Sequence, residues 1–167
     1  MLDPRPFFLH SERVRRAWID YNGHMHEAYY GLVFANATDA LYDHIGLGRH
    51  YREHHQASIY TVESHIHFLA EVGLRVALRV TSQLLGMDDK RMHIFHAMYH
   101  GETKALLATG EFMVLHVSTA GGARATPFPQ DLIARLADVV AEHQKMPMPG
   151  QAGRALSLSL IKTKEKE

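Results

Sequence analysis

The segment Asp20-Tyr21-Asn22-Gly23-His24-Met25-His26-Glu27-Ala28-Tyr29-Tyr30 separates two kinds of pattern. Asn22-Gly23 is a strong turn dipeptide, because both residues tolerate a positive φ. On its N-terminal side, about Phe8 to Trp18 reads as a strand that ends at Asp20. On its C-terminal side, Glu27 to about Ile45 reads as a helix. Tyr29, Leu32, Val33, Asn36, Ala37, Ala40 and Leu41 recur at three- and four-residue spacing, and Gly46 supplies the stop. The quoted residues are therefore the joint between a strand and a long helix.

Beyond Ser58 the period falls to two. Leu74, Val76, Leu78, Val80 and Leu84 alternate with Arg75, Arg79 and Gln83. In the stretch before it, Tyr60, Val62, Ile66, Phe68 and Ala70 are expected on one face and Glu63, His65 and His67 on the other. Two more strands are predicted over about 91–100 and 105–118. The intervening segments Glu71-Val72-Gly73, 86–90 and 101–104 are short and polar, which predicts antiparallel hairpins. A second amphipathic helix is predicted at about Gln130 to His143, with Leu132, Ile133, Leu136, Val139 and Val140 on one side. The expected domain is 1–145, followed by a tail, 146–167, whose last residues are expected to be disordered. Within the tail, the alternation Leu156 to Ile161 suggests an edge strand or a cover for a neighbouring subunit.

This order gives an α+β fold, with one long helix across one face of an antiparallel sheet of about five strands and a second helix at the C-terminal end. Apolar residues stand on both faces of several strands, with Leu107, Met113 and Leu115 set against Leu106, Phe112 and Val114. One helix cannot cover both faces. A second copy of the chain is therefore expected, as a homodimer or a dimer of dimers.

Composition narrows the function classes. Eighteen Lys and Arg balance eighteen Asp and Glu over 167 residues, so no global field points to nucleic acid or to an anionic membrane. The absence of cysteine removes disulfides, zinc–thiolate sites and cysteine nucleophiles together. Neither a signal-peptide pattern nor an apolar run of membrane-spanning length is read, so a cytoplasmic protein is expected. Fourteen histidines raise the question of metal. His24 with His26, and His65 with His67, have a spacing that puts two imidazoles on one strand face. No His-Glu-x-x-His pattern accompanies them, so no metal and no other cofactor is expected. Gly-x-Ser-x-Gly and the glycine-rich phosphate loops are also missing, against a serine hydrolase or a nucleotide fold.

The chemistry is expected at the strand–helix joint. Asp20 is a carboxylate able to act as general base or as nucleophile on a carbonyl. The helix start beside it offers free backbone N–H groups and a positive dipole end suited to an oxyanion.

The segment resembles the Asp-x-x-Gly-His-x-Asn-x-x-x-Tyr signature of the 4-hydroxybenzoyl-CoA thioesterase-like branch of hotdog-fold proteins, with Asp20, Gly23, His24 and Tyr30 on its positions. The strand and helix order agrees with that fold over roughly 8–118. The resemblance implies a sheet wrapped around the long helix, an acyl-CoA substrate and a site at a dimer interface. It implies Asp20 as the catalytic carboxylate, the Glu27 backbone N–H on the thioester carbonyl, and Gly23 and His26 as parts of the same loop. His26 departs from the family's asparagine. More narrowly, Trp18-x-Asp20-Tyr21-Asn22-Gly23-His24-Met25, with Tyr60-Thr61-Val62-Glu63, resembles the betainyl-CoA thioesterases of carnitine breakdown. Trp18, Tyr21, Tyr30 and Tyr60 are then candidates to hold a quaternary ammonium against aromatic faces, and Glu63 to contact that cation or to orient water. The alternative is a non-catalytic hotdog protein that binds an acyl-CoA or acyl carrier.

Overall fold

The computed structural model describes residues 5–156. Five strands follow one another across an antiparallel sheet. They are β1 (Phe7–Arg13), β2 (Ala57–Phe68), β3 (Ala77–Met87), β4 (Arg91–His100) and β5 (Leu106–Ser118). Their spatial order is β1-β3-β4-β5-β2, and a two-residue β6 (Arg124–Ala125) pairs with the end of β5. Helix α1 (Glu27–Ile45) lies against one face, α2 (Arg49–His55) leads into β2, and α3 (Gln130–His143) packs beside β3.

The α1 boundaries agree with the sequence expectation, and so does the terminator. Gly46 adopts φ 81°, a left-handed cap that glycine takes without Cβ strain. Val33, Phe34, Ala37 and Leu41 face the sheet and are completely buried with Leu78, Val80, Leu84, Ile94 and Val114. The close approach of α1 to β5 has one obligatory glycine. A Cβ on Gly110 would lie 2.6 Å from the Phe112 ring and 2.9 Å from the Phe34 ring.

Four expectations need correction. The first strand stops at Arg13, and Arg16–Trp18 is a 3-10 turn that buries Trp18. β3 begins at Ala77 rather than Leu74, because Leu74-Arg75 is a turn with Arg75 at φ 66°. Glu71-Val72-Gly73 is not a hairpin. β2 pairs only with β5, at the opposite side of the sheet from β3, so residues 69–76 form a crossover connection. Finally, bulges change which residues share a face. A register shift between Thr61 and Glu63 leaves Val62 unpaired, so Tyr60 joins Glu63 and His65 on the outer face. A similar shift places Leu107 in the core and Leu106 outside.

The outer face carries Leu85, Phe95 and Ala97, and the chain itself covers part of it. Ala152 packs on this cluster, and Glu111 accepts a hydrogen bond from the Gly153 N–H at 2.9 Å. His65 Nδ1 donates to the Arg154 carbonyl at 2.9 Å. This cover was expected from a second subunit alone. Apart from Leu156, the alternating strip to Ile161 lies outside the described residues.

Three buried histidines serve the framework. His96 is fully buried, between the Ser82 hydroxyl on Nδ1 and the Thr38 hydroxyl on Nε2, each at 2.9 Å. Thr38 already donates to the Phe34 carbonyl, so it accepts from Nε2–H, and Ser82 donates to Nδ1. Burial lowers the His96 pKa to about 3, so the ring is neutral. His143 Nδ1 accepts the Leu84 N–H, left free beside the β3 bulge at Leu84/Gly86. His116 bridges the Tyr51 hydroxyl and the Thr126 carbonyl.

Candidate active site

The Asp20 loop is closed by its own backbone. The Asp20 N–H donates to the His24 carbonyl at 2.9 Å, and the Gly23 N–H donates to the Asp20 carbonyl at 3.1 Å. Ile19 and Met25 form an isolated antiparallel bridge at the base. Gly23 sits at φ 83°, which suits glycine at this turn. The carboxylate is half used, since Oδ1 accepts the Asn22 N–H at 2.8 Å. Its second oxygen makes no hydrogen bond among the described residues, and Asp20 is half-buried.

Two connections fix this loop to the rest of the molecule. The His26 N–H donates to the Trp18 carbonyl at 2.8 Å, and the Met25 N–H donates to the Val72 carbonyl at 2.8 Å. The crossover 69–76 therefore forms one wall of the site. Its Glu71 lies 3.2 Å from the His24 imidazole, and its Ala70 carbonyl accepts the Tyr30 hydroxyl at 3.2 Å. Burial, and secondarily the Glu71 charge, raises the Tyr30 pKa, so this phenol stays protonated.

His26 is the N-cap of α1. Its Nδ1 accepts the Ala28 N–H at 3.1 Å, the work an asparagine oxygen does at an N-cap. The His26 carbonyl takes the Tyr29 N–H. The Glu27 N–H makes no hydrogen bond among the described residues, which leaves it available at the positive end of the helix. A carboxylate oxygen on the loop that leads into α1 and the N–H of the first α1 residue are thus both without partners among the described residues, and a carboxylate and a carbonyl-polarising donor are the two groups that acyl transfer needs.

Asp20, Gly23, His26, Glu27, Trp18 and Tyr30 are brought together. Trp18 is an anchor rather than an open surface, because it stacks on Tyr29 at 5.2 Å and carries the Arg15 guanidinium at 5.0 Å. Tyr21 stands at the loop tip, 96% exposed. Within the protomer, Tyr60 and Glu63 are set apart from Asp20, on the outer sheet face. Glu63 there lines a different cavity with His65, His93, Glu111 and Met113. Sequence reasoning missed Glu71 and Phe68. They line an open groove of about 400 Å³ with Met25, Glu27 and Tyr30. The signal existed in Phe68-Leu69-Ala70-Glu71, but a hairpin reading placed it far from Asp20. Among the described residues no group of three His, Asp or Glu side chains is placed to hold a metal ion, and no helix is long and apolar enough to cross a membrane.

Comparison with known proteins gives a consistent picture. The chain is 43% identical to a betainyl-CoA thioesterase of Pseudomonas aeruginosa, over 87% of this chain and 91% of that protein. It is also 43% identical to an L-carnitine dehydrogenase/betainyl-CoA thioesterase of Agrobacterium fabrum, over 94% of this chain but only 32% of that longer protein. A Staphylococcus aureus protein solved in complex with CoA superposes with a TM-score of 0.83 at 26% identity, covering 92% of this chain and 97% of that one. The family model of the thioesterase-like superfamily matches residues 14–136, and with these relatives it shows that the chain belongs to that superfamily, the hotdog fold expected from the sequence.

Proposed function

We propose that this chain hydrolyses betainyl-CoA to glycine betaine and CoA, as a homodimer, with Asp20 as the reactive carboxylate. The chain is an acyl-CoA thioesterase. The observation that carries the role of Asp20 is its unshared second oxygen on the loop that leads into α1, whose first N–H, that of Glu27, is also without a partner among the described residues. In the reaction, water adds to the thioester carbon while Asp20 takes its proton, or Asp20 adds first and water opens the resulting anhydride. In either route the carbonyl oxygen gains charge, which the Glu27 N–H stabilises. The C–S bond then breaks, and CoA leaves as a thiolate that takes up a proton. His26 and Gly23 hold this geometry by capping the helix and closing the turn.

The betainyl group is supported by the two relatives at 43% identity, which are described as acting on betainyl-CoA. The dimer is supported by β2. This 12-residue edge strand pairs on one side only and exposes Tyr60, Val62 and Phe68 by about half, beside the similarly exposed Leu32 of α1. An edge strand that leaves several apolar side chains half-exposed and contains no proline favours pairing with another strand.

The test is thiol release from a panel of acyl-CoAs that includes betainyl-CoA, with Asp20→Asn in parallel. We expect betainyl-CoA turnover and a loss of about 100-fold or more in the variant. If no thioester turns over, or the variant keeps full rate, a CoA-binding protein without hydrolysis replaces this reading.

A further inference from the structure

A second groove, of about 660 Å³, opens at the other end of α1. Asp39, Tyr42 and Asp43 line it from α1, Ser58 and Ile59 from the start of β2, and Arg49 and Arg52 from α2. Tyr42 is 9% exposed, yet its hydroxyl has no hydrogen-bond partner among the described residues, and the ring lines the cavity. Asp39 is close enough to raise the Tyr42 pKa further, after burial has raised it. The two carboxylates differ in freedom. Asp43 is exposed but lies against Gly48, the residue before α2, where an added Cβ would come 1.8 Å from its Oδ1. Asp39 is exposed and has no ion pair among the described residues. The groove therefore holds an accessible hydroxyl without an internal partner and, alongside Arg49 and Arg52, a carboxylate that forms no ion pair among the described residues.

The fold determines what this groove meets in a dimer. α1 runs antiparallel alongside β2. Tyr30, in the first turn of α1, contacts Phe68 at the end of the strand with ring centroids 5.3 Å apart. Asp39 and Tyr42, near the end of α1, border Ser58 and Ile59 at its start. Two copies joined through β2 about a two-fold axis would place the end of one β2 beside the start of the other. The groove at the start of α1 of one protomer, lined by Met25, Glu27, Tyr30, Phe68 and Glu71, would then open onto the Asp39–Tyr42 groove of its partner.

We infer that Asp39 and Tyr42 of one protomer form the cation-binding end of the acyl pocket served by Asp20 of the other. This rests on the betainyl-CoA and dimer readings above. A trimethylammonium group cannot donate a hydrogen bond and is held by a carboxylate at short range and by aromatic faces. The partner's Asp39 supplies the charge, the partner's Tyr42 presents its unpartnered hydroxyl oxygen to the methyl groups, the half-exposed Phe68 ring supplies an aromatic face, and the thioester carbon stays at Asp20. Selection for a cationic acyl group thus belongs to the far end of α1, and bond breaking to the near end.

The experiment compares betainyl-CoA with its neutral isostere, 3,3-dimethylbutyryl-CoA, in wild type and in Asp39→Asn. We expect KM for betainyl-CoA to rise about tenfold or more, with kcat within about threefold, and KM for the neutral isostere to stay unchanged. Equal changes for both substrates, or none, overturn the role of Asp39 while leaving the thioesterase reading in place. A wild type that hydrolyses the isostere but not betainyl-CoA overturns both. The arrangement across subunits is tested with mixed dimers of Asp20→Asn and Asp39→Asn protomers, isolated by two affinity tags. If the residues meet across the interface, one of the two sites is intact, and about half the wild-type rate returns at the wild-type KM. Recovery at the raised KM of Asp39→Asn places both residues in one protomer and overturns the inference.

Discussion

His26 and His96 show how one residue type takes opposite parts. His26 accepts a backbone N–H at the start of α1, so any side chain with an oxygen or lone-pair nitrogen at that reach can replace it. His26→Asn is expected to keep thermal stability close to wild type, whereas His26→Ala costs about 1 kcal/mol in urea unfolding. His96 sits in the core with its pKa lowered from 6.5 to about 3. Between those values the unfolded chain binds a proton that the folded chain refuses, so stability is flat above pH 6.5 and falls on acidification. The slope attributable to this residue is about 1.4 kcal/mol per pH unit down to about pH 3. Urea midpoints measured from pH 7 to pH 4.5 check it, and His96→Gln should remove that part of the slope. The place of Asp20 in a turn just before α1 was legible from the residues alone, because turn chemistry and helix onset are local signals. Tyr60 was not. Its side depends on a bulge at Val62 that no alternation of residue types marks.

At the scale of elements, local periodicity carried α1, β4, β5 and α3 to within a residue or so of their observed ends. α2 was missed because its seven residues, Arg-His-Tyr-Arg-Glu-His-His, offer a single buried anchor, Tyr51, and no apolar stripe. The crossover 69–76 was misread because a short polar segment between two strands looks alike in a hairpin and in a connection across the sheet. What distinguishes them is strand order, which is a property of the packed sheet. The α1–β5 contact is governed by Gly110, where any side chain would push on two core rings. Gly110→Ala is expected to lower stability by about 1–3 kcal/mol through overpacking. A folded variant with reduced melting temperature but unchanged KM checks this.

For the whole molecule, the two-subunit reading gives a prediction at β2. Val62→Asp puts a charge on the exposed bulge of the edge strand. It is expected to shift the protein to monomer in sedimentation, to leave the far-ultraviolet spectrum unchanged, and to remove thioesterase activity along with the dimer. The sequence suggested a second copy from apolar residues on both sheet faces. The outer face turned out to be partly covered by the chain's own residues 152–154, which shifts the proposed partner surface to β2 and the exposed side of α1. Chain connectivity also bears on how activity is acquired during folding. The β3–β4–β5 meander consists of neighbours in sequence and can form through short loop closures. The clasp between Met25 and Val72 joins segments far apart in the chain, and it forms against the entropy of a long closed loop. Refolding protein should therefore regain its sheet before its catalysis, and the interval between the two measures how long the Asp20 loop waits for the crossover to arrive.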